Sequence, residues 1–182
     1  MKSIKKEMTN TIIIQKSKFI CRLLPIFDLT QVKEQLRKIK DEFPNATHYC
    51  FAYILNQEKK CSDDGEPSGT AGLPILNVLE KKELHYVLCV VIRYFGGVKL
   101  GAGGLVRAYS NAVIETLTNS ILVDLEKGVN IICTFPYSNE KQIQYLLQNA
   151  EVVEKSYKEM ITYQVRLSNT LFHELQNSLE KL

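Results

Sequence analysis

The segment from Tyr94 to Gly104 has the residue types most suited to binding chemistry, because it is rich in glycine and lies between a predicted strand and a predicted helix. Glycine permits positive φ and lets a ligand approach the backbone closely. Free amides at the start of the following helix favour an anion, and Lys99 and Arg107 supply positive charge. We therefore predict an anion or nucleic-acid site formed by Arg93, Tyr94, Phe95, Gly96, Gly97, Lys99, Gly101, Gly103, Gly104 and Arg107.

The known nucleotide-binding fingerprints do not fit this glycine segment. Val106 stands where a dinucleotide motif needs Gly or Ala, and the stretch from Gly96 to Ala102 lacks the Lys-Ser/Thr ending of a P-loop. A second interpretation stays open, in which the segment is a tight loop that only turns the chain onto its helix.

An acidic segment between Cys61 and Thr70 is the second candidate, a polar site formed by Asp63, Asp64, Glu66 and Ser68. Its carboxylates could bind a divalent cation or exchange protons. The Ca²⁺-loop pattern is absent, however, and Asp-Asp-Gly followed by Glu-Pro is typical of a turn that leads into a helix. His48, Cys50 and Cys61 also lack a fourth partner for zinc. We predict neither a metal nor a cofactor.

The better-known hydrolase signatures are absent from the sequence, which contains no Gly-x-Ser-x-Gly elbow and no His-Glu-x-x-His helix. The sequence therefore favours a binding protein over an enzyme, and no catalytic residue is assigned. Two alternatives remain: an enzyme acting on a phosphorylated small molecule or nucleotide, with magnesium on the acidic segment, and a protein-interaction module.

The pattern of apolar residues predicts an N-terminal module, residues 1–127, that positions both candidate sites. A uniformly apolar run from Leu84 to Ile92 predicts a central strand covered on both faces. The remaining predicted elements are a hairpin (Thr11–Gln15, Phe19–Leu24), a helix (Asp28–Phe43) capped by Asp28 or Thr30, a strand (Tyr49–Leu55), a loop (Asn56–Glu66), a helix within Pro67–Leu79, a helix (Leu105–Asn119) and a closing strand (Ile121–Leu125).

A second module, residues 128–182, is predicted after the linker at Glu126-Lys127-Gly128. Its order is βαββα, one strand short of a ferredoxin-like unit. The elements are a strand (Val129–Phe135), a helix (Ser138–Asn149), two strands (Val152–Lys155, Tyr157–Leu167) and a helix (Asn169–Leu182). The fold class predicted for the whole chain is thus α+β.

The distribution of charge along the chain indicates what kind of partner the protein binds. The net charge is only +3, but the first 22 residues contain Lys2, Lys5, Lys6, Lys16, Lys18 and Arg22 against Glu7 alone. From Leu84 to Ile114 there are three basic residues and no acidic ones, so local positive potential indicates an anionic partner.

Five scattered cysteines favour reduced thiols. The longest apolar run, Tyr86 to Ile92, is too short to span a bilayer. We expect a cytoplasmic protein without a membrane partner.

Three motifs resemble those of the Impact/YigZ family, the two longer ones in the same order and spacing, and the resemblance covers nearly the whole chain. They are His48–Tyr53, Ser62–Gly72 and Arg93–Tyr109. The resemblance implies an N-terminal module like the second domain of a small-subunit ribosomal protein and domain IV of elongation factor G. It also implies a C-terminal module like domain V of that factor. One departure is Leu73, where relatives often have a basic residue.

The resemblance implies contact with RNA or the ribosome, and a protein partner in translational control. We therefore expect a nucleic-acid-binding or ribosome-associated protein that regulates translation. Arg93, Lys99 and Arg107 would contact phosphates, and Tyr94, Phe95 or Tyr109 would stack on unpaired bases.

Overall fold

The chain folds as two compact units, Met1–Leu125 and Glu126–Leu182. This computed structural model describes residues 1–125 and 128–179. Both units combine antiparallel sheets with helices. The predicted α+β class is therefore confirmed. Within the described residues, no helix is long and apolar enough to cross a membrane.

The first unit is built around a five-stranded sheet with the order β2–β3–β6–β4–β5, in which all neighbouring pairs are antiparallel. Two short strands, β1 and β7, form a separate antiparallel pair. The strands are β1 (Lys2–Ile4), β2 (Met8–Ile14), β3 (Ser17–Pro25), β4 (His48–Leu55), β5 (Glu58–Ser62), β6 (Val87–Tyr94) and β7 (Leu122–Asp124); the helices are α1 (Leu29–Glu42), α2 (Gly72–Lys81) and α3 (Gly101–Thr118).

Both faces of the five-stranded sheet are covered by helices. Residues of α2 and α3, such as Ile75 and Ala108, pack with Val91 on one face. Residues of α1, such as Ile39, pack with Val90 on the other face. Because neighbouring residues of a strand point to opposite faces, β6 must be apolar at almost every position. The prediction of a doubly covered central strand is confirmed.

The start of α1 follows directly from the sequence. Asp28 accepts a hydrogen bond of 2.8 Å from the amide of Gln31, so it is the N-cap. The helix ends at Glu42, just before Pro44, which disfavours helical backbone in the preceding residue. Both boundaries agree with the prediction to within one residue.

Two predictions in the first unit are wrong. The segment Asn56–Glu66 was expected to be a loop, but Glu58–Ser62 forms β5, an edge strand paired with β4. Edge strands with exposed polar side chains lack the apolar alternation that reveals a strand. The helix predicted from Leu105 begins four residues earlier, at Gly101. Burial of Leu105 and Ala108 anchors the helix and outweighs the poor helix propensity of the glycines.

The second unit contains an antiparallel sheet with the order β8–β10–β9 and two helices. Its elements are β8 (Gly128–Phe135), a single 3-10 turn (Tyr137–Asn139), α4 (Glu140–Leu146), β9 (Glu151–Tyr157), β10 (Ile161–Ser168) and α5 (Asn169–Leu179). The predicted βαββα order and the inward positions of Ile161, Tyr163, Val165 and Leu167 are confirmed.

Boundaries in the second unit differ from the prediction at two places. The expected helix Ser138–Asn149 divides into the 3-10 turn and the shorter α4. Tyr157, placed at the start of the last strand, instead ends β9, and β10 begins at Ile161. Residues 126–127 of the expected linker and residues 180–182 of the expected final helix lie outside the described residues.

Candidate nucleic-acid interface

The turn between β2 and β3 packs directly against the glycine segment. A Cβ added to Gly96 would lie 2.1 Å from the backbone carbon and oxygen of Lys16, so only glycine fits there. The Gly96 amide also donates a 3.2 Å hydrogen bond to the Ser17 hydroxyl. This contact brings the turn that carries Lys16 against the segment that carries Lys99.

Four cationic side chains on these elements are exposed, namely Lys16, Lys18, Lys99 and Arg107. We call Lys16, Lys99 and Arg107 the basic surface. Lys18 precedes Phe19 in β3 and so points, like Ile20, to the face that packs against α1. No acidic residue lies in the first turn of α3. In the sequence alone, Lys16 belongs only to the basic N-terminus, because nothing in a single sequence shows that residues about 80 positions apart meet.

The start of α3 leaves its amides available. Leu100 is the N-cap residue and forms no side-chain cap. Gly103, in the first turn, is exposed, and a Cβ added there would meet nothing within 4 Å. Gly97 and Gly101 have positive φ values of 82° and 70°, which favour glycine over other residues. At Gly103, neither the backbone conformation nor close packing requires a glycine. Its bare backbone lies one helical turn before Arg107, on the same face of α3.

Arg93 has a different environment from the one predicted. It is only 4% exposed, and its guanidinium forms a 2.5 Å ion pair with Glu66 Oε1. The guanidinium carbon lies 5.3 Å from the ring centroid of Phe19 and 5.5 Å from that of Phe95. The expectation that Arg93 is an exposed phosphate contact like Lys99 is therefore corrected: the positive charge is buried and paired, because a charge in this position needs a counter-charge.

The three predicted aromatic platforms also differ in exposure. Phe95 is 46% exposed and can present its ring to a ligand. Tyr94 is half-buried and packs against the core beside α1. Tyr109 is completely buried, so it cannot stack on a base. Gly104 is held more tightly than Gly103, since an added Cβ would lie 3.1 Å from Cβ of Leu100.

A buried polar cluster connects the two candidate sites. Tyr109 donates a 2.7 Å hydrogen bond to Glu66 Oε1, and the Cys50 thiol lies 3.3 Å from the Tyr109 oxygen. His48 Nε2 is 3.8 Å from Glu66 Oε1. Burial raises the pKa of Cys50 to about 12 and also raises the pKa of Tyr109. Both groups therefore stay protonated, and Cys50 is unsuited to act as a thiolate nucleophile.

The carboxylates of the acidic segment perform separate structural tasks. Asp63 accepts hydrogen bonds from the amides of Gly69, Ala71 and Gly72 at the start of α2. Asp64 accepts a 2.7 Å bond from the Tyr49 amide, and Glu66 pairs with Arg93. Ser68 is exposed. In the part of the chain that the structure describes, no group of three or more His, Cys, Asp or Glu side chains is placed to hold a metal ion.

Asp63 has a lowered pKa. Burial by itself would raise the pKa, but the three amide hydrogen bonds outweigh it. Since the folded pKa lies below the unfolded one, the stabilisation is complete above the unfolded value and is lost as the pH falls through the folded value. Asp63→Asn should therefore lower the free energy of unfolding by about 1–2 kcal/mol near pH 7. The variant should also lose less stability than the wild type as the pH falls. Urea unfolding from pH 7 to pH 3 measures both effects.

The control for this prediction is Asp41→Asn, on the exposed surface of α1. It removes the same charge without removing the helix cap of α2. Equal pH dependence in the Asp63 and Asp41 variants would show that the three amide bonds contribute nothing to the stability of the acidic segment.

Comparison with known proteins places the chain in a family. A family profile described as the Impact N-terminal domain matches residues 15–117, which is more than half of the chain. The chain belongs to the Impact family. The match covers the β2–β3 turn, the acidic segment and the start of α3, so all the residues of the candidate interface lie inside the family domain.

Individual relatives support this assignment. The Impact family member YvyE of Bacillus subtilis is 46% identical over 67% of this chain and 58% of its own length. A Thermus thermophilus Impact family member is 36% identical over 85% of this chain and 86% of its own length. A crystal structure described as that of a hypothetical protein matches 99% of this chain with a TM-score of 0.74 and 28% identity. The chain thus spans little more than half of YvyE and nearly all of the Thermus relative.

Proposed function

We propose that this protein binds RNA through the basic surface and acts as a ribosome-associated regulator of translation. The observation that carries the proposal is the Gly96 contact, because it packs the turn bearing Lys16 against the segment bearing Lys99. Neutral or acidic residues could occupy an ordinary tight loop equally well. Three exposed cations on adjoining elements, Lys16, Lys99 and Arg107, instead provide the positive charge that attracts a phosphate backbone.

The local chemistry around α3 supports binding of single-stranded nucleic acid. The uncapped amides and the bare backbone at Gly103 can approach a phosphate, and Lys99 and Arg107 can neutralise it. The exposed ring of Phe95 offers a surface for an unpaired base. Phosphate contacts of this kind give affinity with little sequence preference. A role in translation, with the ribosome and a protein partner, rests on the family resemblance.

The test is the salt dependence of RNA binding. Lys99→Gln with Arg107→Gln should weaken binding of a short unstructured RNA for all sequences. Each lost contact should reduce the slope of log affinity against log salt by about 0.7. Fluorescence anisotropy from low to moderate salt measures the slope, and thermal melts of the same proteins report the fold.

A matched control removes the same charge elsewhere. Lys81 and Lys82 are exposed at the C-terminal end of α2, and their double Gln variant should leave the slope unchanged. If Arg107 only covers α3 with its aliphatic stem, its variant should lose stability without changing the slope. Wild-type protein without salt-sensitive binding would refute the RNA proposal and favour protein interaction.

A further inference from the structure

A pocket of about 320 Å³ lies between the acidic segment and the start of α3, and its walls are mainly apolar. Pro67, Phe95, Leu100 and Leu105 line it, and Glu66 is its one carboxylate among the described residues. We propose that this pocket receives one unpaired base of the bound RNA and selects a base with an exocyclic amino group, which donates a hydrogen bond to Glu66. The inference rests on the proposed function and adds to it a preference for one class of base.

The first argument is a hydrogen-bond acceptor without a donor. Glu66 Oε1 accepts a 2.7 Å hydrogen bond from the Tyr109 hydroxyl and one of 2.5 Å from Nη1 of Arg93. No described residue donates to the other carboxylate oxygen, Oε2. Oε2 is not sealed inside the protein, because among the described side chains the only shielded nitrogen or oxygen without a partner is Arg93 Nε. The Glu66 side chain is 3% exposed and lines the pocket, so Oε2 can be reached from there.

The charge of the pocket determines which kind of donor fits this oxygen. Two cations, Arg93 and Lys99, line the pocket together with the single carboxylate of Glu66. A metal ion, or a lysine or arginine of a partner protein, would bring a further positive charge close to these two. An amino group attached to an aromatic ring donates hydrogen bonds without carrying that charge. The pocket therefore favours a neutral donor over a cationic one.

The walls of the pocket favour a flat ring, and the carboxylate then selects among the bases. Phe95 is 46% exposed, and stacking on such a ring is open to every base, so Phe95 contributes affinity without selection. Carboxylate side chains accept hydrogen bonds from base amino groups, as they do from N4 of cytosine. Adenine, cytosine and guanine all carry an amino group. Uracil has none, and its single N–H lies between two carbonyl oxygens that Glu66 would repel.

The test changes the ligand, because replacing Glu66 would also leave Arg93 without its counter-charge. The probes are two short oligouridines that differ at one central position. One carries adenosine there, and the other carries purine ribonucleoside, which is adenosine without its amino group. Fluorescence anisotropy at one fixed salt concentration should show about tenfold tighter binding of the adenosine probe, since it alone can donate to the charged oxygen. Cytidine compared with pyrimidin-2-one ribonucleoside should give a gain in the same direction.

Ala102→Leu tests whether the pocket is the source of this preference. Ala102 is exposed and lines the pocket, and leucine is also a good helix former, so the melting temperature should change little. The added side chain fills the pocket and should reduce the tenfold ratio to about one, while plain oligouridine still binds with the same salt dependence. In the control, Asn111→Leu places the same side chain at an exposed position of α3 that does not line the pocket, and the ratio should persist.

The outcomes separate this inference from the proposed function. Salt-sensitive binding of oligouridine without any gain from the amino group would refute the base pocket and leave RNA binding intact. A gain that persists in Ala102→Leu would show that the amino group is recognised elsewhere, and would equally refute the pocket. If the wild type binds none of these RNAs, both proposals are wrong.

Discussion

Glu66→Gln is expected to destabilise the first unit by about 3–5 kcal/mol, because it leaves the Arg93 guanidinium buried without a counter-charge. Glu66 and Arg93 are 8% and 4% exposed, so water cannot replace the lost carboxylate. Arginine also cannot escape by losing its proton. For a unit of this size the melting temperature should fall by roughly 10–20 °C. Differential scanning calorimetry of the purified variant measures the change.

The double variant Glu66→Gln with Arg93→Met provides the control. Methionine removes the buried charge and keeps an apolar stem between Phe19 and Phe95, while the side-chain amide introduced in place of Glu66 can still accept the hydrogen bond from Tyr109. Replacing a whole buried pair with uncharged groups is often nearly neutral. The double variant should therefore recover at least half of the stability that Glu66→Gln loses. A double variant less stable than Glu66→Gln would show that the cost comes from packing and not from an unpaired charge.

Much of the fold follows from local pattern alone. The continuous apolar run that forms β6 predicts a strand buried on both faces. The alternation of apolar and polar residues in β10 predicts a strand buried on one face only. The N-cap Asp28 is also readable, since its role depends only on an amide three residues away. The edge strand β5 was missed because its exposed polar residues carry no such pattern.

The candidate site was harder to predict because it depends on contacts between distant residues. A sequence shows that Arg93 is basic, but only its pairing with Glu66, 27 residues away, shows that it is buried. In the same way, Gly96 contacts the backbone of Lys16, 80 positions earlier in the chain, which brings Lys16 into the candidate interface. The glycines could be recognised as unusual, but the separate reason for each one needed the geometry.

Those separate reasons predict opposite effects for similar substitutions in one short segment. Gly96→Ala places a Cβ 2.1 Å from the Lys16 backbone, so the β2–β3 turn must move away. The free energy of unfolding should fall by about 2–3 kcal/mol, and RNA binding should weaken because Lys16 leaves the basic surface. Gly103→Ala meets nothing within 4 Å and improves helix propensity, so it should raise stability by about 0.5–1 kcal/mol.

Gly103→Ala should nevertheless weaken RNA binding, because the new methyl group covers the backbone between Lys99 and Arg107. Loss of one phosphate hydrogen bond, about 1 kcal/mol, corresponds to roughly fivefold. Gly97→Ala completes the series: its φ of 82° makes alanine strained, yet open space surrounds it, so its stability should fall by about 1–2 kcal/mol from strain alone. Urea unfolding of all three variants measures the cost of the steric clash at Gly96 and of the backbone strain at Gly97. Fluorescence anisotropy of the same proteins measures the loss of RNA contact at Gly103. A Gly103→Ala protein that is more stable and binds RNA as the wild type does would remove the start of α3 from the interface.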